Sequence, residues 1–454
     1  MPFQENSGMI SKFDEFLKNV RNTRVDVVGI GISNTPVIKL LAAAGAYVTA
    51  YDKNTREGLG SVADELEALG VTLVLGEHYL DKLSGDIIIK TPGLRFDHPA
   101  IASAVSRGAR LTSEMELFFD VCPCKIIAVT GSDGKTTTTS IIYEFLKAAG
   151  YTVHLGGNIG TPLLPQTPDI KATDIVVAEL SSFQLHTMTK SPDIAVVTNL
   201  SPNHLDVHKS MDEYVEAKKN IFLHQSHGGV LVVNADNDIT GSFCGNGETR
   251  RFSFKNDYRD GGIYIDGVRL LERSDILLRG DHNVENYMAA IYAVLGLVDK
   301  SVIVNVARTF GGVRHRIEFV ADINGVKFYN DSIGSSPTRT VATLRSFDSK
   351  VILIAGGYDK KLPFDTLGRE CADRVKALFL TGATAKKIEA AVRGYCPDLP
   401  VFVIDDFDDT VRRAYAYARG GDTVLLSPAC ASFDKFKNFE VRGDHFIEVV
   451  KSLG

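Results

Sequence analysis

The apolar run Lys125-Ile126-Ile127-Ala128-Val129-Thr130 passes without a break into Gly131-Ser132-Asp133-Gly134-Lys135-Thr136-Thr137, and a helical pattern follows. Few folds accommodate that order. A buried strand that ends in a glycine loop and turns straight into a helix is one step of a parallel, doubly wound sheet. The loop also has a chemical meaning. Glycines let backbone N–H groups approach phosphates, and the helix that follows presents its positive N-terminal end. Lys135 is a cation for the β- and γ-phosphates, and the Thr136 hydroxyl suits Mg²⁺. The leading glycine of the Walker form G-x-x-x-x-G-K-[ST] is absent, while Gly131, Gly134, Lys135 and Thr136 remain. A purely structural glycine turn is the weaker alternative.

A chain of 454 residues exceeds one hydrophobic core, since domains usually run to roughly 100–200 residues. The pattern divides into three blocks, all α/β: a Rossmann-like block over 1–122, a central P-loop mononucleotide-binding block over 123–311, and a second Rossmann-like block over 312–454. Strands are expected at 24–29, 47–51 and 86–90 in the first. In the second they fall at 125–130, 174–178, 194–198 and 230–234. In the third they fall near 326–329, 351–355, 377–381, 401–404 and 423–426. Gly311-Gly312 reads as the hinge before the third block. The 40 glycines suit many strand-to-helix turns.

The first block carries Gly29-x-Gly31-x-Ser33-Asn34, with Asp52 placed 21 residues after Gly31. Alone, this spacing suggests a nicotinamide-dependent oxidoreductase, because the acid stands where a ribose 2′-OH is bound. In the second block the apolar run 174–178 ends in Glu179, where P-loop proteins commonly hold a metal. A regulatory P-loop ATPase is a third class. The net charge of −6, from 50 basic and 56 acidic residues, argues against a nucleic-acid binder. Six cysteines without a paired C-x-x-C spacing read as free thiols of a reducing cytosol. The N-terminus lacks signal-peptide character, and no apolar run reaches the roughly 18–20 residues of a membrane span. The chain is expected to be cytoplasmic.

Further motifs occur in one order: Gly157-Asn158-Ile159-Gly160, Glu179-Leu180-Ser181-Ser182-Phe183-Gln184, Asn199 to Asp206 around Pro202-Asn203-His204, His282-Asn283-x-x-Asn286, and His315-Arg316-x-Glu318. With the phosphate loop, this series resembles the Mur ligase superfamily over nearly the whole chain. The closing segment from Leu426 to Gly443 is similar to its D-glutamate-adding branch.

The resemblance implies an enzyme of stated chemistry. ATP phosphorylates the carboxylate of UDP-N-acetylmuramoyl-L-alanine, the amine of D-glutamate attacks the acyl-phosphate, and a tetrahedral intermediate collapses to an amide. Anionic transition states call for positive charge from Lys135, Arg316 and Mg²⁺. By the same resemblance, two Mg²⁺ ions are expected, with Thr136, Glu179, His204 and Lys218 as ligands. Lys218 matches a lysine that the family carbamylates, and Lys219 stands beside it as an alternative. Gly131, Ser132, Asp133, Gly134, Lys135, Thr136 and Thr137 would hold the ATP phosphates, Asn283 and Asn286 the adenine, and Asp331 the ribose, with Arg316 near the nucleotide. Ile32, Ser33, Asp52, Thr91, Pro92 and Gly93 would line the uridine diphosphate, and Asn158 would contact substrate near the phosphate. Ser335, Lys360, Ser432 and Phe439 would take D-glutamate, whose two carboxylates suit a lysine and hydroxyls. The sequence departs from the family at Asp133, at Asn203, and at Ile333-Gly334, where Arg339 offers a compensating cation. Small-molecule partners and a monomer complete the expectation.

Overall fold

Short runs of β-branched and aliphatic residues build three parallel-rich sheets, each strand leading into a turn and then a helix. A computed structural model describes residues 10–202, 207–278, 280–360 and 362–454. The first sheet holds β1 (Arg24–Val28), β2 (Tyr47–Asp52), β3 (Thr72–Leu75), β4 (Ile87–Lys90) and β5 (Arg110–Thr112), in the order β3-β2-β1-β4-β5 and wholly parallel. The order reverses between β1 and β4. In open α/β sheets a ligand crevice forms at the carboxyl ends of the strands at such a point.

The second sheet holds β6 (Lys125–Thr130), β7 (Val153–Gly157), β8 (Ile175–Glu179), β9 (Ile194–Val197), β10 (Val230–Asn234) and β11 (Glu248–Phe252), in the order β11-β10-β9-β6-β8-β7. It too is parallel throughout, which requires helices on both faces. β6 lies between β8 and β9, so the phosphate loop, Glu179 and Thr198 leave neighbouring strand ends. A small antiparallel sheet follows, made of β12 (Tyr258–Arg259), β13 (Gly262–Ile265) and β14 (Val268–Glu272). All three sheets belong to one compact unit, residues 1–275 with 281–307. One apolar cluster runs from Phe13, Val27 and Val37 to Ile126, Val176 and Phe243, so the first two sheets share a core. Buried Glu114 stitches them further by accepting from the Leu163 and Leu164 amides, each at 2.8 Å.

The other unit comprises 276–280 and 308–454. Its sheet holds β15 (Glu318–Ile323), β16 (Val326–Asn330), β17 (Val351–Ala355), β18 (Val375–Leu380), β19 (Val401–Val403) and β20 (Thr423–Leu426), in the order β15-β16-β20-β17-β18-β19. Only the β15–β16 pair is antiparallel. Val351, Leu353 and Ala355 pack to one face and Ile352 and Ile354 to the other, so β17 is apolar at every position. The expected hinge at Gly311-Gly312 lies inside this unit. The Gly311 carbonyl accepts from the Phe319 amide at 2.9 Å, and the chain enters the unit earlier, at 307–308. Among the described residues no helix is long and apolar enough to cross a membrane.

Candidate functional site

The phosphate loop is held from below by the strands beside β6. Thr198 Oγ1 and Asn199 Nδ2 donate to the Asp133 carbonyl at 2.6 and 3.2 Å, and the Asp133 amide donates to Asn199 Oδ1. Ser132 Oγ lies 2.9 Å from the Tyr214 hydroxyl. Gly134 has φ +75°, and a Cβ there would stand 2.2 Å from Asn286 Oδ1, so only glycine fits. Lys135 opens the helix Lys135–Ala148, with its ammonium donating to the Gly131 and Ser132 carbonyls at 2.9 Å each. Thr136 and Thr137 follow in the first turn.

Lys218 lies on the helix Met211–Leu223 and reaches the underside of this loop. Its side chain is 2% exposed and donates to Thr130 Oγ1 (3.1 Å) and the Gly131 carbonyl (2.9 Å). Burial lowers its pKa well below the ordinary lysine value, with Lys135 adding to the effect and Glu179 opposing it. Lys219 points elsewhere: it pairs with Glu216 at 2.7 Å on the surface. The structure thus separates the two adjacent lysines and brings Lys218 to the loop.

Glu179 ends β8 and is buried. Oε1 accepts from Asn158 Nδ2 at 2.8 Å, while Oε2 has no hydrogen-bond partner among the described residues. Gly157 (φ +98°) permits that approach, since a Cβ would meet the Glu179 carbonyl at 2.2 Å. A buried carboxylate oxygen without a donor is expensive unless a cation meets it. The Glu179 carboxylate and the Thr136 hydroxyl are the oxygen donors that Mg²⁺, a hard oxygen-seeking ion, takes. His204 lies outside the described residues.

Beside the loop is a cavity of about 450 Å³ lined by Asp133, Gly134, Thr198, Asn199, Phe252, His282, Glu285 and Asn286. Asn286 is tied in, accepting from Thr138 Oγ1 at 3.3 Å and donating to Asn283 Oδ1 at 3.0 Å. Phe252 and Glu285 were not singled out from the sequence, and His282 was quoted only as part of a motif, without a role. Phe252 ends β11, separated from β6 by β10 and β9, and only the sheet order shows that it faces the loop.

In the first sheet, Asp52 is occupied by the protein itself: Oδ2 accepts from the Ile30 amide and Oδ1 from the Asn54 amide, at 2.7 and 2.8 Å. Asn34, at the third position of the fingerprint, is buried and donates to the Val28 carbonyl at 3.0 Å. These bonds shape the turn and leave Asp52 a positioning group. Ile32 is 86% exposed, Ser33 is half-buried, and Thr91 packs over Gly29, whose Cβ would stand 2.9 Å from Thr91 Cβ. Pro92 and Gly93 continue that turn at the β1–β4 crevice.

In the second unit Asp331 follows β16. It is buried, and Oδ2 accepts from Ser427 Oγ (2.7 Å) and Thr343 Oγ1 (2.8 Å). Burial pushes its carboxyl up to about 6 against those donors. Arg316 is exposed, between His315 (φ +62°) and Ile317 (φ +48°); the latter is a strained conformation for a β-branched residue. A crevice at the ends of β17, β18 and β20 is lined by Gly356, Gly357, Thr381, Asp434, Lys435 and Arg442 among others. Ser335, Lys360, Ser432 and Phe439 are outside that lining. Ser432 is buried, Lys360 exposed, and Phe439 edges onto His315 at 6.1 Å. Among the described residues Arg339 reaches only the Ile333 carbonyl, at 3.4 Å.

Comparison with known proteins adds to this geometry. Residues 129–294 match the Mur ligase middle domain, and 315–430 match the Mur ligase, glutamate ligase domain. UDP-N-acetylmuramoylalanine--D-glutamate ligase of Acetivibrio thermocellus is 54% identical over 98% of this chain and all of its own length. The protein of that name from Ruminiclostridium cellulolyticum is 49% identical with the same coverage. Among solved structures, UDP-N-acetylmuramate-alanine ligase from Thermotoga maritima superposes with a TM-score of 0.55 at 19% identity, covering 95% of this chain and all of that one. That likeness concerns the fold.

Proposed function

The chain belongs to the Mur ligase family, and we infer that it is the ATP-dependent ligase joining D-glutamate to UDP-N-acetylmuramoyl-L-alanine in peptidoglycan precursor synthesis. One observation carries the choice of amino acid: relatives bearing that name match nearly the whole chain at about half identity. An oxidoreductase would leave the phosphate loop without a purpose, and a regulatory ATPase would not require the closing segment.

The chemistry follows from what a carboxylate lacks. It is a poor electrophile, and transfer of the ATP γ-phosphoryl group to one of its oxygens creates a mixed anhydride with phosphate as leaving group. The amine nitrogen of D-glutamate then forms a bond to the acyl carbon, loses a proton, and phosphate departs. Lys135 and the loop amides orient and neutralise the phosphates. Glu179, Thr136 and His204 would hold Mg²⁺, which supplies positive charge to the phosphoryl oxygens. A neutral Lys218 amine can add CO₂ and release a proton, which turns it into an anionic oxygen ligand for a second ion. Asn158 would meet substrate beside Glu179, Asn283 and Asn286 the adenine, Asp331 the ribose, and Arg316 the transferring phosphate. Ile32, Ser33 and Thr91 to Gly93 would line the uridine diphosphate, with Asp52 shaping the turn. Ser335, Lys360, Ser432 and Phe439 would select D-glutamate. We assign 1–122 to the nucleotide sugar, 123–311 to ATP and 312–454 to the amino acid, in a cytoplasmic monomer.

Phosphate release from ATP tests the assignment. It should require UDP-N-acetylmuramoyl-L-alanine together with D-glutamate. Release supported by L-glutamate or another amino acid would move the enzyme within the family, and none under any pairing would overturn it.

A further inference from the structure

Lys90 ends β4, next to β1, where the order of the first sheet reverses. Its side chain is 3% exposed, and among the described residues it makes no hydrogen bond or ion pair. Burial pushes its pKa down to about 8, with the charge of Glu116 opposing. Glu116 itself is engaged, accepting from the Thr189 amide and hydroxyl at 3.1 and 2.8 Å. An ammonium largely withdrawn from water without a partner destabilises the fold, unless an anion outside the chain meets it.

Lys90 lines a small crevice with Pro92, Gly93, Arg95, His186 and His208. The walls come from the turn after β4 and from the segments after β8 and β9, all in one unit. His186, His208 and Glu213 place ligand atoms within 4.8 Å of one another, as a metal would need. The charges around them weigh against a cation. Arg95 already donates to Glu213 Oε1 at 2.8 Å and to both Asp97 oxygens, and Lys90 adds a second positive group. Burial disfavours the imidazolium of His186; the Glu213 charge opposes this, and the charges of His208, Arg95 and Lys90 add to it. A metal ion would stand beside Arg95 and Lys90, with the Glu213 carboxylate already paired to Arg95. An oxyanion would pair Lys90, which has no partner among the described residues.

We propose that Lys90 binds an oxyanion of the nucleotide-sugar substrate and contributes to its selection, from the crevice between the Thr91–Gly93 turn and His186 and His208. This presupposes the ligase activity inferred above. Two groups of that substrate share the chemistry, its diphosphate and its carboxylate.

The test compares wild type with Lys90→Met and Lys90→Gln in binding UDP alone and UDP-N-acetylmuramoyl-L-alanine, and in steady-state kinetics. Removing the charge should weaken binding of the nucleotide sugar about ten-fold or more, the usual scale for a charged hydrogen bond. KM for ATP and for D-glutamate should stay within about two-fold, which a general structural role would not allow. Weakening of both ligands identifies the diphosphate, and weakening of the nucleotide sugar alone identifies the carboxylate. On the wild-type protein, mass-spectrometric mapping of amine acetylation should show Lys90 protected by the nucleotide sugar and not by ATP. Unchanged binding in folded variants, or equal protection by ATP, overturns the proposal. If wild type turns over normally while the variants match it, only this inference fails; if wild type binds no nucleotide sugar, the ligase assignment fails with it.

Discussion

Two lysines meet the phosphate loop with opposite tasks. Lys135 is half-exposed at the start of its helix, where a mobile cation can follow phosphate oxygens through the reaction. Lys135→Ala should lower turnover about a thousand-fold with the melting temperature nearly unchanged, the scale on which a preorganised transition-state contact acts. Near-normal turnover would remove the loop from the chemistry. Lys218 is buried beneath the same loop, where burial holds its pKa well below the ordinary lysine value. Activity lost in carbonate-free buffer should return with bicarbonate. Lys218→Ala should be inactive with or without it, whereas Lys219→Ala, which breaks a pair with Glu216 and a contact over the Phe243 ring, should keep the wild-type bicarbonate dependence. No bicarbonate dependence would count against the carbamate. Lys90 supplies a pH signature. Its folded pKa of about 8 lies below the ordinary lysine value of 10.5, so the folded state binds fewer protons than the unfolded state between those values. The stability lost to Lys90 is therefore fully present below about pH 8 and regained as the pH rises toward 10.5. Lys90→Met should melt above wild type at pH 7, and the gap should close by about pH 10.5; a constant gap would mean that the charge is not its source.

At the scale of elements, strand ends do the positioning. β7 and β8 finish so close together that Gly157 is the only residue the Glu179 carbonyl admits, and that contact sets Asn158 against the Glu179 carboxylate. Gly157→Ala should cost about 1–3 kcal/mol of stability and weaken the Mg²⁺ dependence of turnover as Glu179 shifts. Thermal unfolding and a metal titration check both, and an unperturbed variant would show that the approach is slack. These ends also mark what the sequence could reveal. The glycine loop after β6, the acid ending β8 and the apolar runs of β10 and β17 are local signals, and they were legible. β7, β11 and β15 were not expected. β11 reads Glu-Thr-Arg-Arg-Phe, an edge strand whose charges hide its pairing. The cavity wall at Phe252 and Glu285 was hidden for the same reason, because it depends on the sheet order β11-β10-β9-β6. Lys90 was quoted as the end of a strand, but only its burial without a partner gives it a task.

At the scale of the whole molecule, three sheets present their carboxyl ends as ligand sites, one for each reactant in the proposed assignment. The pattern of glycine turns carried that architecture, because each parallel strand must be followed by a turn and a helix. The pocket details of 312–454 were less legible. Motif positions such as Lys360 and Ser432 fix a residue in the chain, and they do not fix which side chains line the crevice at β17, β18 and β20. A monomer predicts specific activity independent of protein concentration on serial dilution, and a fall on dilution would indicate a shared site between copies. The most direct test of the account follows the oxygen atoms. UDP-N-acetylmuramoyl-L-alanine carrying heavy oxygen in its carboxylate would be turned over with ATP and D-glutamate. Activation through an acyl-phosphate predicts that the released phosphate carries one labelled oxygen and the new amide keeps the other. Unlabelled phosphate would mean that water, rather than the carboxylate, accepts the phosphoryl group, and would contradict the account.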